Sequence, residues 1–343
     1  MSGLLKSFLI PLLHNTIYII TKNNKSKNKA FKKRKIKNKK YYSNAIAVLG
    51  CSYLNIYSSN PVKYLSAMKF GAHVSIAGGI DKAPLRAHGL GCECFQIFSR
   101  SPRGGKPAEL NDRIVESFLS ECAKYNIAEY YIHTPYYINL CSEKKILRDS
   151  SIAIIKEELE RGSALGAKYI MTHLGSSRKT NRKQAVKMII EGLKRIVDNT
   201  GFSTQLLLEN TAGQGTTIGN SFEELAEILE GVRDSNIGIC IDTAHLFASG
   251  YDIRTKEKFK ETVCLLSSTI GIKKIKLFHG NDSKVDLGEK KDRHEHIGKG
   301  KIGTRGFKNI IKSRDFRNIN MIVETPPEKV GDDIKALKNL RDK

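Results

Sequence analysis

The sequence predicts an α/β chain: a (β/α)8 TIM barrel behind a disordered basic N-terminal extension. Seven β-like runs carry a His, Asp or Glu at or beside their ends, and helix-like stretches alternate with them. The stretch from Met68 to Lys343 is close in length to the roughly 250 residues of one such barrel. A barrel of this kind gathers the carboxyl ends of its strands, so residues far apart in sequence meet in one small space. Imidazoles and carboxylates brought together away from bulk water need cations between them.

The strands follow in order. KFGAHV carries His73, ECFQIF spans Glu93 to Phe98, YYIHT carries His133 and YIMTHL carries His173. LLLEN carries Glu209, GICIDT Asp242, IKLFHG His279 and MIVETP Glu324. Between them, Asn111 to Tyr125, Ser150 to Leu165, Arg182 to Asp198, Ser221 to Leu229 and Lys256 to Ser268 repeat apolar residues at three and four positions, the helical period. Alternating βα units with apolar strands imply a parallel sheet covered by helices.

The formal charge of +23 points to a polyanionic partner. Residues 1 to 67 hold 13 of the 58 basic residues and none of the 35 acidic ones, which leaves +10 on the rest (45 against 35). That extension reads as two pieces. Ser7 to Ile20 is apolar but too short and too interrupted for a membrane span, so no stable membrane insertion is expected. The Lys- and Asn-rich stretch after it cannot bury a core. An organelle transit peptide, mitochondrial or other, is the expectation; KKRKIKNKK at Lys32 to Lys40 leaves a nuclear signal as the alternative, and a solvated tail as the plainest one. The folded domain is expected over 68–343. Seven cysteines at irregular spacing, with no C-x-x-C pair, argue against a disulfide framework and for small buried residues.

Three motifs bear on chemistry. Glu209 ends an apolar run and is followed by the Gly-rich NTAGQG, where a polymer backbone can approach closely. Asp242-Thr-Ala-His245 either aims two ligands at one or two neighbouring sites or is an Asp capping the helix of a satisfied His. Asp292-Arg-His294 offers two ligands within one turn, against the plainer reading of a solvated charged loop. Taken together with the strand ends, these residues predict a metal centre.

The phrases GAHVSIAGG, ENTAGQG, CIDTAHLFASGYD, HGND, DRHEHIGKGKIG and the Glu324-Thr325 pair resemble the endonuclease IV family of zinc-dependent apurinic/apyrimidinic endonucleases, from about Lys69 to the C-terminus. The resemblance implies three zinc ions, with Mn2+ as a partial substitute. His133 and His173 would hold the first, with Glu209 bridging to the second; Asp242, His279 and Glu324 would complete the second; His245, Asp292 and His294 would hold the third. It implies hydrolysis 5′ of an abasic site in double-stranded DNA, leaving a 3′ hydroxyl, with Glu209, Asp242 and Glu324 as the catalytic carboxylates and 3′-phosphodiesterase activity alongside. Arg103, Tyr136 and Gln214 are the implied DNA contacts, and a monomer is expected. Two departures stand out: Gly104 and Gly105 where many relatives carry a bulky aromatic, and HLGSS where HPGSH is common. A metal-dependent sugar isomerase, which shares the barrel type, and a non-catalytic DNA-binding barrel are the alternatives.

Overall fold

The computed structural model describes residues 67–198, 201–233 and 236–343. The extension expected over 1–67, Cys51 included, lies outside the described residues apart from Ala67. Eight parallel strands close into a barrel: β1 (Phe70–His73), β2 (Cys94–Phe98), β3 (Tyr130–His133), β4 (Tyr169–Thr172), β5 (Gln205–Glu209), β6 (Ile237–Asp242), β7 (Ile275–His279) and β8 (Asn320–Val323). Around the barrel they run β1-β8-β7-β6-β5-β4-β3-β2, each beside its sequence neighbour, with β8 closing onto β1. A two-stranded antiparallel ribbon, Asp282–Ser283 with His294–Glu295, stands outside this sheet.

The helices are α1 (Ala83–Gly89), α2 (Asp112–Lys124), α3 (Lys145–Leu165), α4 (Arg182–Val197), α5 (Phe222–Val232), α6 (Thr243–Ala248), α7 (Lys256–Thr269), α8 (Gly303–Ile311) and α9 (Val330–Asp342). Side-chain caps start several of them. Asn111 accepts the Ile114 N–H at 3.1 Å, Ser221 that of Glu224 at 3.2 Å and Thr255 that of Lys258 at 3.2 Å, each satisfying a donor the helix leaves free. α3 starts at Lys145 rather than Ser150, because its first turn carries Ile146 and Leu147, both largely exposed, and so breaks the amphipathic pattern. Gly166, at φ 77°, ends it.

Strand side chains alternate between two cores. One residue of each pair, such as Phe70, Phe95, Ile132, Leu208, Ile241 and Val323, packs outward under the helices. The other points into the barrel, where Cys94, Tyr131, Met171, Leu207, Cys240, Leu277 and Ile322 form a separate buried layer. β1 contributes Gly71 at this level, and only glycine fits, since a Cβ there would lie 1.8 Å from the Cys94 carbonyl oxygen. Tyr131 Oη closes the layer by accepting the Asn320 side-chain N–H at 2.7 Å.

Five of the six described cysteines are buried and Cys264 is exposed, with no disulfide among them. No helix among the described residues is long and apolar enough to cross a membrane.

Candidate metal centre

Two residues beyond each member of that inner layer, the pleat brings the next inward side chain to the mouth of the barrel. Tyr131 is thus followed by His133, Met171 by His173, Leu207 by Glu209, Cys240 by Asp242, Leu277 by His279 and Ile322 by Glu324. The strand-end pattern in the sequence is this second layer. Its members converge: His133, His173 and Glu209 place one ligand atom each within 4.8 Å of one another, and so do Glu209, Asp242, His279 and Glu324. A third group, Asp242, His245 and His294, meets the same limit, and Asp292 lies 3.2 Å from both His245 Nε2 and His294 Nε2. All nine sequence-predicted ligands therefore stand around one space.

Glu209 is at its centre, fully buried, with Oε2 3.1 Å from His133 Nε2 and 3.7 Å from His173 Nε2 and Oε1 3.0 Å from His279 Nδ1. Asp242 is held by neighbours: Asn210 accepts its backbone N–H at 2.7 Å, and Asn281 donates to its Oδ2 at 2.6 Å. Asn281 also accepts the Glu324 backbone N–H at 2.7 Å, tying β8 to the same cluster. Asp282, fully buried, accepts backbone N–H groups of Ser283, Gly298, Gly300 and Ile302 at 2.8 to 3.1 Å, and so folds the loop that follows Asp292 and His294.

The donor set fits a cation. His133, His245 and His294 each place Nδ1 against a backbone carbonyl, of Thr134, Asn210 and Glu324 respectively. A carbonyl only accepts, so each imidazole carries its proton on Nδ1 and turns a bare Nε2 toward carboxylates. The Nε2 atoms of His245 and His294 are buried and have no hydrogen-bond partner. Two lone pairs facing a carboxylate at 3.2 Å need a positive charge between them.

In the polypeptide alone, protons would have to supply it. Burial pushes His245 down, but Asp242, Asp292 and Glu209 outweigh it and raise the group to about 10. His294 is likewise raised to about 9, with burial opposing and Asp242 and Asp292 prevailing. Burial pushes the Glu209 carboxyl up, yet the surrounding His279, His173 and His133 hold it well below its usual range. Divalent ions replace such protons at neutral pH.

Of the sequence-predicted DNA contacts, Tyr136 and Gln214 line a cleft of about 760 Å³ beside His173, His245 and Asp292. Tyr136 is 64% exposed, and its ring meets that of Phe98 in a T-shaped contact at 5.2 Å. Gln214 Oε1 accepts the Asp292 backbone N–H at 3.0 Å. Arg103 does not line that cleft; it is exposed on the loop after β2. Gly104 and Gly105 follow it at φ 105° and 96°, backbone that an aromatic residue rarely adopts, which gives the departure there a physical reason.

One member of the ring was not visible among strand ends. Gln96, mid-strand in β2 and fully buried, donates to Glu324 Oε1 at 2.6 Å and contacts His279 Nε2 at 2.8 Å and His73 Nδ1 at 2.9 Å. Its only signal is a lone polar residue in CFQIF, at the same inward parity as Cys94.

Fold and site together define a TIM barrel with a cluster of potential metal ligands at its mouth, and residues 85–340 match the family described as xylose isomerase-like TIM barrel. The "Probable endonuclease 4" of Carboxydothermus hydrogenoformans is 38% identical over 275 residues, 80% of this chain and 97% of the relative. That of Aquifex aeolicus is 39% identical over 260 residues, 76% and 92%. The crystal structure of endonuclease IV from Thermus thermophilus matches with a TM-score of 0.71 and 32% identity, covering 80% of this chain and 99% of that one. The chain belongs to the endonuclease IV family. A D-tagatose 3-epimerase-like protein shares the fold, with a TM-score of 0.63 at 19% identity.

Proposed function

We propose that this chain is a zinc-dependent apurinic/apyrimidinic endonuclease of base excision repair, hydrolysing the phosphodiester 5′ of an abasic site in double-stranded DNA and leaving a 3′ hydroxyl. The observation that carries the reading is the pair of buried Nε2 atoms of His245 and His294, without hydrogen-bond partners and both 3.2 Å from Asp292, in the same cluster as a Glu209 carboxylate that faces histidines on both of its oxygens. Five imidazoles and four carboxylates with no thiolate suit zinc, with Mn2+ as a partial substitute.

His133, His173 and Glu209 would hold the first ion; Glu209, Asp242, His279 and Glu324 the second; His245, Asp292 and His294 the third. When bound, such ions lower the pKa of water and neutralise charge on a phosphoryl group and its leaving oxygen. The residues do the rest. Glu209 would serve the first two positions with its two oxygens; Asn281 holds Asp242 Oδ2 and the Glu324 backbone, and Gln96 holds Glu324 Oε1, so these carboxylates need little reorganisation during reaction.

Substrate choice follows from the mouth. A nucleotide without its base costs less to extrude from the duplex. Tyr136, exposed and backed by Phe98, offers a flat ring to fill or border the gap, while Gln214 is held against the Asp292 backbone close to the incoming strand. Arg178 and Arg293 line the same cleft and would meet phosphates, and Arg103, exposed on the loop after β2, would add a contact from outside it. The excess of basic residues beyond the extension supports the same polyanionic partner.

The reading extends to 3′-phosphodiesterase activity at the same centre, to a monomer, and to an organelle reached through a transit-type segment in residues 1–67, a nuclear signal being the alternative. The test is incision of a duplex with one tetrahydrofuran abasic analogue, before chelation, after it, and after zinc is restored. The analogue cannot undergo β-elimination, so cleavage 5′ of the lesion that disappears and returns is metal-dependent hydrolysis. A zinc-loaded chain that binds the duplex and never cuts it would reduce the molecule to a binding barrel; aldose turnover with no response to DNA would make it an isomerase.

A further inference from the structure

His279 is turned the opposite way from His133, His245 and His294. Its Nδ1 faces the centre, 3.0 Å from Glu209 Oε1 and 3.3 Å from Glu324 Oε2, while its Nε2 points to Gln96 at 2.8 Å. No ligand motif marks this inversion, and the amide of Gln96 accounts for it.

The orientation of that amide follows from chemistry. The atom 2.6 Å from Glu324 Oε1 must be a donor, because an ionised carboxylate only accepts, so it is Nε2. The opposite atom, Oε1, then faces His279 Nε2 and can only accept. His279 must therefore carry its proton on Nε2 and keep its lone pair on Nδ1. The second amide hydrogen lies toward His73 Nδ1 at 2.9 Å, which makes that nitrogen the acceptor and puts the His73 proton on Nε2. A flipped amide would set oxygen against oxygen at Glu324.

We propose that Gln96 is a positioning residue of the metal centre: its one amide fixes His279 in the Nε2–H tautomer and ties down Glu324 Oε1, so that His279 Nδ1 and Glu324 Oε2 are offered together to the cation they share with Glu209 and Asp242. The inference rests on the metal-centre reading above. Gln96 is not a ligand, since both ends of its amide are already engaged. Neighbouring residue types fail for identifiable reasons. Glutamate would place an acceptor against Glu324, asparagine is one methylene short, and methionine fills the volume while contacting neither partner through a hydrogen bond. Ligand-orienting groups of this kind are worth about 10- to 100-fold in metal affinity.

A buried glutamine that merely plugs the barrel would affect stability but neither tautomer nor one chosen ion. Two measurements on the full chain separate these cases. In zinc competition with a chromophoric chelator, Gln96→Met is expected to weaken one zinc by about 10- to 100-fold and leave the remaining zinc unchanged. In long-range 1H–15N spectra of histidine-labelled, zinc-loaded wild type, the His279 signals, assigned by their loss in His279→Asn, are expected to show a protonated Nε2 and a metal-bound Nδ1. Unaltered zinc affinity in folded Gln96→Met overturns the proposal, as does a wild-type His279 protonated on Nδ1. The spectra decide the matter on their own should Gln96→Met not fold. Wild type that binds no zinc at all sinks the metal-centre reading instead, so the two failures are distinguishable.

Discussion

Asp242 Oδ1 accepts the backbone N–H of His245 at 2.8 Å and caps the helix that carries this histidine, whose own Nε2 is buried without a hydrogen-bond partner. The cap is present, and the same Asp-x-x-His pair also stands in one of the candidate ligand clusters. One carboxylate oxygen starts the helix; the other, Oδ2, lies 3.6 Å from His294 Nε2 and faces the centre. The cap fixes where His245 stands, which is why a six-residue helix suffices to present it.

Glu209→Gln removes the charge that faces histidines on two sides. Incision of the abasic-analogue duplex is expected to fall on the order of 10²–10³-fold, the scale of losing one preorganised charge-stabilising group, while duplex binding by fluorescence anisotropy changes little. Near-normal incision would contradict the bridging role.

Asp282→Ala leaves the backbone donors of Ser283, Gly298, Gly300, Ile302 and Gly303, all buried or half-buried, without their acceptor. A loss of roughly 3 kcal/mol is expected, the cost of unsatisfied groups once bonded to a charge. Urea unfolding of the chelator-treated chain measures it. The same variant is expected to release the ion assigned to His245, Asp292 and His294 before the other two, read by zinc content after mild chelation.

Arg161 donates to Ser99 Oγ at 2.7 Å and to the carbonyls of Ser99 and Ala108 at 2.5 and 2.8 Å, so it clamps both ends of the loop that carries Arg103. Glu158, fully buried, ties Ser99 and Arg100 to the same helix. In Arg161→Met the KM for abasic duplex is expected to rise about tenfold, equivalent to ~1.4 kcal/mol, with kcat near wild type. A fall in kcat at constant KM would show that the loop serves the chemistry and not DNA binding.

Glu129 lies at the opposite end of the barrel, just before β3. Burial pushes its carboxyl up, but hydrogen bonds from Lys168 and Lys69 prevail and lower it from 4.5 to about 2. A carboxyl depressed by folding stabilises the fold fully above the unfolded value and loses that contribution as pH falls through the folded one. Stability of the wild type is therefore expected to decline between pH 4.5 and about 2 more steeply than that of Glu129→Gln. Parallel pH profiles of the two melting temperatures would remove Glu129 from the acid response.

The strand ends were legible because the chemistry demanded polar residues where apolar runs stopped. His133, Glu209 and Asp242 announce themselves against YYI, LLL and ICI. Gln96 did not, since β2 runs two residues past it to Phe98 and its polar member sits mid-strand. Asp282 was seen only as part of HGND, because acceptance of N–H groups from a loop some twenty residues on is a fact of folding and not of local pattern. The inverted imidazole of His279 was equally hidden: sequence names a histidine but not which nitrogen it turns inward. Arg103 illustrates the converse, a residue placed by motif whose surroundings only the fold reveals.

The two stacked inner layers constrain how the gene can change length. Between Tyr131 and His133, or Cys240 and Asp242, there is one outward residue and no slack. Deleting a single codon there would swing that strand's His, Asp or Glu out among the helices and draw an apolar side chain into the cluster. Length variation is thereby confined to the connecting loops, such as the one holding Arg103, where a codon gained or lost alters the reach of the loop and leaves the strand-end cluster in place.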